Sequence, residues 1–186
     1  MISVNEAIAL VKKHSLLGKR EIIPLTNAIG LHLAADVTSR INMPPFNQSA
    51  MDGYAINYSD DIETFEVIGE VAAGESGNQF NLKLGEATRI FTGAAVPNGA
   101  NTVVKQEIVE LNVNSIRFTE KVKVNQNIRL IGEQIKKHEL ALKKGTVITA
   151  ASIGFLATLG ISEIEVYQKP KISIVVTGNE LVSSGK

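Results

Sequence analysis

The 186-residue chain has no cysteine, which excludes a disulfide framework, a thiolate zinc site, an iron–sulfur cluster and a cysteine nucleophile. It has no excess of charge either: 19 Lys and Arg stand against 19 Asp and Glu, a net charge of zero. Nucleic-acid binders draw affinity from clustered cations, so nucleic acid is not expected as a partner. Long apolar runs are missing, and the longest falls far short of the roughly 18–20 residues that cross a bilayer. The segment Met1-Ile2-Ser3-Val4-Asn5-Glu6 has no basic stretch leading into an apolar one, so no signal peptide is read. The expectation is a soluble intracellular protein with no membrane partner. His14, His32 and His138 are too far apart for a His-based metal site, and neither of the common glycine-rich nucleotide loops occurs.

What is present is a globular composition, 44% hydrophobic and 20% charged, which excludes disorder for the chain as a whole. The length suits one large domain or two small ones. Ser3-x-x-Glu6 reads as a capping box opening an amphipathic helix over about 4–17, with Gly18 as its stop. Thr26 opens a second, short helix that Gly30 ends, and 31–37 is left open between strand and helix. From 62 to 134 the runs Phe65–Ile68, Thr88–Phe91, Thr102–Val104 and Ser115–Phe118 are β-prone and separated by turn residues. That spacing predicts a small antiparallel barrel or sandwich. Thr149 caps a helix over Ala150–Leu159, ended by Gly160, and Ile161–Val166 reads as a strand. Ile172–Gly178 reads as a strand buried on both faces, such as opens an α/β domain; the chain stops soon after it, so a further domain is expected to be missing.

Four segments exceed what propensity explains. Pro44-Pro45-Phe46-Asn47-Gln48-Ser49-Ala50-Met51-Asp52-Gly53-Tyr54-Ala55 combines helix-denying prolines with an Asp-Gly step that allows a turn of positive φ. Thr92-Gly93-Ala94 leads through Pro97 and Gly99 to Val103-Val104 and Glu107. Asn127-Ile128-Arg129 runs on to Gly132-Glu133-Gln134. Thr177-Gly178-Asn179-Glu180-Leu181 ends the last strand. Each sets a carboxylate or hydroxyl beside glycine, where backbone can approach an anion or an oxygen-loving metal ion. Taken singly, each is also an ordinary turn or strand end.

Together, and in this order, the four segments resemble the molybdopterin molybdenumtransferase family (MoeA-like proteins and the homologous domain of gephyrin), of which this chain would be the N-terminal part. The resemblance implies insertion of molybdate into adenylated molybdopterin with release of AMP, assisted by Mg²⁺ or a similar divalent cation. It implies a cytoplasmic homodimer, with contact to the molybdopterin adenylyltransferase. By position, Asp52, Thr92 and Glu180 match residues important for activity. Ser49, Met51 and Gly53 belong to the substrate loop, and Asp52, Glu133 and Glu180 are candidate metal or anion contacts. Gln134 departs from the family, which has an acidic residue there; a neutral amide cannot serve as a charged ligand.

The expected fold is α+β and mostly β. An elongated, segmented N-terminal domain from 1–43 and 135–168, the dimerisation unit, carries a small β-barrel-like domain inserted at 44–134. Residues 169–186 begin a molybdopterin-binding α/β domain that the chain does not complete. A non-catalytic dimerisation or scaffold module that keeps the fold is the alternative reading. Asp52, Thr92 and Glu180 favour the enzyme, and Gln134 favours the module.

Overall fold

The computed structural model describes residues 2–173, 175, 182, 184 and 185. In chain order they form α1 (Val4–His14), β1 (Arg20–Pro24), β2 (His32–Leu33), β3 (Val37–Thr38), β4 (Gln48–Ser49) and β5 (Gly53–Ile56). These are followed by β6 (Phe65–Val71), β7 (Glu86–Ile90), β8 (Thr102–Lys105), β9 (Val109–Asn112) and β10 (Ser115–Phe118). The last are β11 (Ile128–Arg129), β12 (Leu140–Leu142), α2 (Ala150–Thr158) and β13 (Glu163–Tyr167). The fold is mostly β, as expected. The chain divides into two compact units, Met1–Val37 with Leu142–Lys186 and, between them in sequence, Thr38–Ala141.

In the first unit α1 begins at the capping box: Glu6 N–H donates to Ser3 Oγ at 3.2 Å, and Ser3 N–H to a Glu6 carboxylate oxygen at 2.7 Å. The helix stops at His14, three residues before the expected end, because Ser15 turns extended and its hydroxyl donates to Val11 O at 2.6 Å. Gly18 is therefore no helix stop. It lies against Gln168, whose carbonyl a Cβ would overlap. The helix expected at Thr26 is a single 3-10 turn, Leu25–Asn27, directly behind Pro24 and too short to nucleate an α-helix. The open stretch 31–37 supplies β2, so the sheet runs β1-β13-β2, antiparallel throughout. Along β13 the pattern alternates and Ile164 and Val166 face a core with Leu33, Ile148, Leu156 and Leu159. Helix α2 is capped as read, Ser152 N–H donating to Thr149 Oγ1 at 3.2 Å. Ile172 and Val175, expected inside a buried strand, are exposed, and Lys171–Ser173 form no strand. The rest of that segment, including Thr177 to Leu181, lies outside the described residues.

The second unit is built on a six-stranded sheet in the order β8-β5-β7-β6-β10-β9. Its edges, β8 and β9, are joined by only the 3-10 turn Gln106–Ile108. Four residues span at most about 14 Å, whereas six flat strands are about 24 Å wide. The sheet must therefore curl until its edges approach, which makes the unit barrel-like. Inside the curl pack Tyr54, Ile56, Phe65, Ala87, Val104 and Ile116. On the outside, Ala55, Val71, Ile90 and Val103 are covered by Phe80, Ala94, Val96 and Ile128 from the loops. The sheet is not purely antiparallel: β6 and β7 run parallel, with a bulge between Val67 and Gly69. The long excursion between them returns the chain in the same direction, which a tight hairpin cannot do.

Candidate functional site

The first three unusual segments meet in the second unit. From its start the Pro44–Ala55 segment is bound to the other two. Asn47 Oδ1 accepts from Ile131 N–H at 2.9 Å, and Asn47 O from Val96 N–H at 2.9 Å. Ser49 exchanges backbone bonds with the second segment, Ser49 N–H to Ala94 O at 3.0 Å and Gly93 N–H to Ser49 O at 2.9 Å. β4 pairs with β11, and Ala50 N–H continues to Asn127 O at 2.9 Å. The Met43–Pro44 peptide is cis.

Ser49 is buried, and its hydroxyl closes a local turn by donating to Met51 O at 2.6 Å and accepting from Met51 N–H at 3.3 Å. That turn leaves Met51 and Asp52 exposed. Gly53 opens β5, opposite Ile90 of β7 and Lys105 of β8. Its φ is not among the positive ones, contrary to the turn expected at Asp-Gly. Glycine is required for another reason: a Cβ there would overlap the carbonyl oxygen of Val104.

The antiparallel register of β5 and β7 brings Asp52, just before one strand, to Thr92, just after the other. Thr92 N–H donates to Asp52 Oδ1 at 2.7 Å and the Thr92 hydroxyl to the same oxygen at 2.8 Å. Both bonds favour the ionised form, so the Asp52 carboxyl is held below its ordinary value; partial burial opposes and Arg89 adds a smaller attraction. Asp52 Oδ2 has no hydrogen-bond partner among the described residues.

Two residues beside this pair carried no signal in the sequence. Arg89 of β7 donates to Gly53 O at 3.3 Å and to Gln106 Oε1, and Gln106 N–H donates to Asp52 O at 3.0 Å. An arginine inside a β-prone run reads only as a strand residue; its neighbours are set by pairing.

The other candidates lie apart. Glu133 Oε2 accepts from Leu130 N–H at 2.9 Å within its own turn. Gln134 engages only through its backbone, N–H to Met43 O at 2.9 Å. Both line a small cavity of about 110 Å³ with Arg129 and Gln48. A larger one, about 560 Å³, is lined by all three segments through Phe46, Asn47, Val96, Asn98 and Ile131. Asp52 and Thr92 line neither. Glu180 lies outside the described residues. No group of three or more His, Asp or Glu among the described residues is placed to hold a metal ion.

Residues 2–160 match the family model described as MoeA N-terminal region (domain I and II). The chain is 42% identical over 169 residues to a molybdopterin molybdenumtransferase of Haemophilus influenzae, covering 89% of this chain and 42% of that one. It is 36% identical over 189 residues to the protein of the same name from Staphylococcus epidermidis, covering 97% and 45%. A crystal structure of a molybdopterin biosynthesis MoeA protein from Pyrococcus horikoshii superposes with a TM-score of 0.88 at 35% identity, over 98% of this chain and 50% of that one. The chain thus spans about half the length of the relatives it matches. With the family model covering most of its length and the fold shared with a solved MoeA structure, the chain belongs to the MoeA N-terminal family.

Proposed function

We propose that this chain forms the N-terminal part of a molybdopterin molybdenumtransferase, which inserts molybdate into adenylated molybdopterin and releases AMP. The single observation that carries the reading is the Asp52–Thr92 pair, an exposed carboxylate fixed by two hydrogen bonds on one oxygen with the other oxygen free. A carboxyl held below its ordinary value is a weak base at neutral pH, so Asp52 suits orientation and charge better than proton abstraction. Thr92 fixes the rotamer, so the free oxygen is presented in one direction. Molybdate is then a substrate guided into place, and Glu180 acts with this pair in the complete enzyme.

The described residues do not make a protein-built metal site, since Glu133 is engaged in its own turn and no acidic cluster is present among them. They do fit a cation carried mainly by substrate phosphates and water, which needs one or two carboxylate contacts. Mg²⁺ or a similar divalent ion would take Asp52 Oδ2 here and supply neutralising charge for the phosphates.

The protein acts as a cytoplasmic homodimer and receives its substrate through contact with the molybdopterin adenylyltransferase. Association is supported by α1, which buries none of its residues and leaves Ile8, Leu10 and Val11 exposed. The same observation supports the alternative, a non-catalytic dimerisation module. No helix among the described residues is long and apolar enough to cross a membrane.

The test is cofactor synthesis from adenylated molybdopterin and molybdate by full-length protein containing this chain, with AMP release measured. Asp52→Asn should keep the fold and oligomeric state while lowering the rate about a hundredfold, the scale of a misplaced reacting group. The 186 residues alone should not turn over. Unchanged activity in Asp52→Asn sinks the assignment; a dimer with no turnover in the full-length protein supports the module instead.

A further inference from the structure

We infer that Arg89 is a positioning residue for Asp52 and Thr92, clamping from one guanidinium the two strand ends that carry them. The inference rests on the functional reading of Asp52 given above.

Arg89 pairs across the sheet with Tyr54, two residues after Asp52, and stands two residues before Phe91, which directly follows β7. Its guanidinium carbon lies 5.1 Å from the Tyr54 ring centre and 5.2 Å from that of Phe91, within cation–π range of both. Phe91 directly precedes Thr92, so one side chain touches a neighbour of each member of the pair. The hydrogen bonds add direction. One nitrogen donates to Gly53 O and another to Gln106 Oε1, while Gln106 N–H holds Asp52 O at 3.0 Å. The carbonyls of Asp52 and Gly53 are therefore held in succession, one through Gln106 and the other by Arg89 itself.

This arrangement answers a difficulty in the site. Asp52 is exposed, and its Thr92 bonds depend on two strand ends keeping a fixed separation at the rim of the barrel. The β5–β7 ladder at Gly53 and Ile90 and the Ser49 bonds to Gly93 and Ala94 hold the two backbones on either side of the pair. Arg89, half-buried and stacked, adds the side-chain brace at the pair itself. A lysine keeps the charge but has no planar fork and cannot reach two divergent acceptors together. Position and not charge alone is thus what Arg89 contributes.

The bland alternative is that Arg89 only plugs the end of the barrel. Two variants, Arg89→Lys and Gln106→Ala, separate the readings. Each is made in the 186-residue chain for NMR and in the full-length protein for kinetics. In the chain, the Thr92 amide proton reports the bond to the Asp52 carboxylate through its low-field shift and its protection from exchange. We expect both to fall in Arg89→Lys and, less, in Gln106→Ala, with thermal unfolding little changed. In the full-length protein kcat should fall about tenfold or more for Arg89→Lys, with KM for adenylated molybdopterin nearly constant. The double variant should be little worse than Arg89→Lys, because the two residues form one clamp. A wild-type Thr92 amide signal in Arg89→Lys overturns the inference, as does a loss of kcat no larger than the loss of folded protein. If the wild-type full-length protein releases no AMP, the functional reading fails while the Thr92 signal still decides what Arg89 holds.

Discussion

Asp52 and Thr92, forty residues apart in sequence, share a single oxygen: Asp52 Oδ1 accepts both the backbone N–H and the hydroxyl of Thr92. Two donors on one oxygen fix a carboxylate that solvent would otherwise leave free to rotate.

Removing one donor should weaken the arrangement without abolishing it. Thr92→Val keeps the N–H and loses the hydroxyl, so the Asp52 carboxyl should titrate closer to its ordinary value, read by carboxylate NMR. In full-length protein molybdate insertion should slow about tenfold, as for one lost charge-assisted bond. Thr92→Ser should behave nearly as wild type. Equal loss in both variants would assign Thr92 a packing role instead.

Gly53→Ala should destabilise the second unit by about 3 kcal/mol through overpacking. The new Cβ meets the Val104 carbonyl, a backbone atom of the neighbouring strand that cannot swing away. The denaturant midpoint measures it. A midpoint near wild type would show that β5 and β8 can part without cost.

Phe65 is fully buried inside the curled sheet and stacks on Phe118 at 5.2 Å between ring centres. Phe65→Ala should cost about 3–5 kcal/mol, read from the denaturant midpoint. A loss well under this range would mean the barrel interior collapses around the gap.

Helix α1 should depend on pH through Glu6. The Ser3 backbone N–H, and after it the Ser3 side chain, hold the Glu6 carboxyl below its ordinary value, with slight burial opposing. A depressed folded value means the capping contribution is complete above the unfolded-state value and is lost as pH falls through the folded one. Amide signals of residues 4–8 should therefore shift toward coil in acid, and Glu6→Gln, which cannot titrate, should remove most of that pH dependence. An acid response identical in both proteins would rule the box out as its cause.

Gln134→Asp should leave the fold intact, because Gln134 is held through its backbone N–H alone. The added carboxylate lies beside Glu133 and Arg129. In the full-length enzyme the Mg²⁺ concentration giving half-maximal rate should stay the same or fall. A rise would show that the acid disturbs Arg129 and does not help the cation.

How much was legible follows from the range of the interactions. The capping box at Ser3 and the N-cap at Thr149 were readable because every bond in them closes within three residues. The short strands from Phe65 to Phe118 were readable from β-prone runs between turn residues. The segment from Pro44 to Ala55 stood out because its composition has no simple structural use. The end of α1 was misread because Ser15 closes the helix with its own side chain, where glycine was expected to do so.

By itself, then, the sequence determined where α1 and α2 begin, where β6, β7, β8 and β10 lie, and which segments carry the unusual chemistry. The tertiary structure alone decided that β6 runs parallel to β7, that Gly53 is needed for a close strand and not for a turn, and that Arg89 stands beside Asp52 and Thr92, against their neighbours Gly53 and Phe91. Each of these depends on register between strand residues 19 to 52 positions apart. No local pattern encodes such a register; it emerges only when the sheet curls, buries Phe65 and Ile90 on its opposite faces, and so leaves one pairing that satisfies both layers.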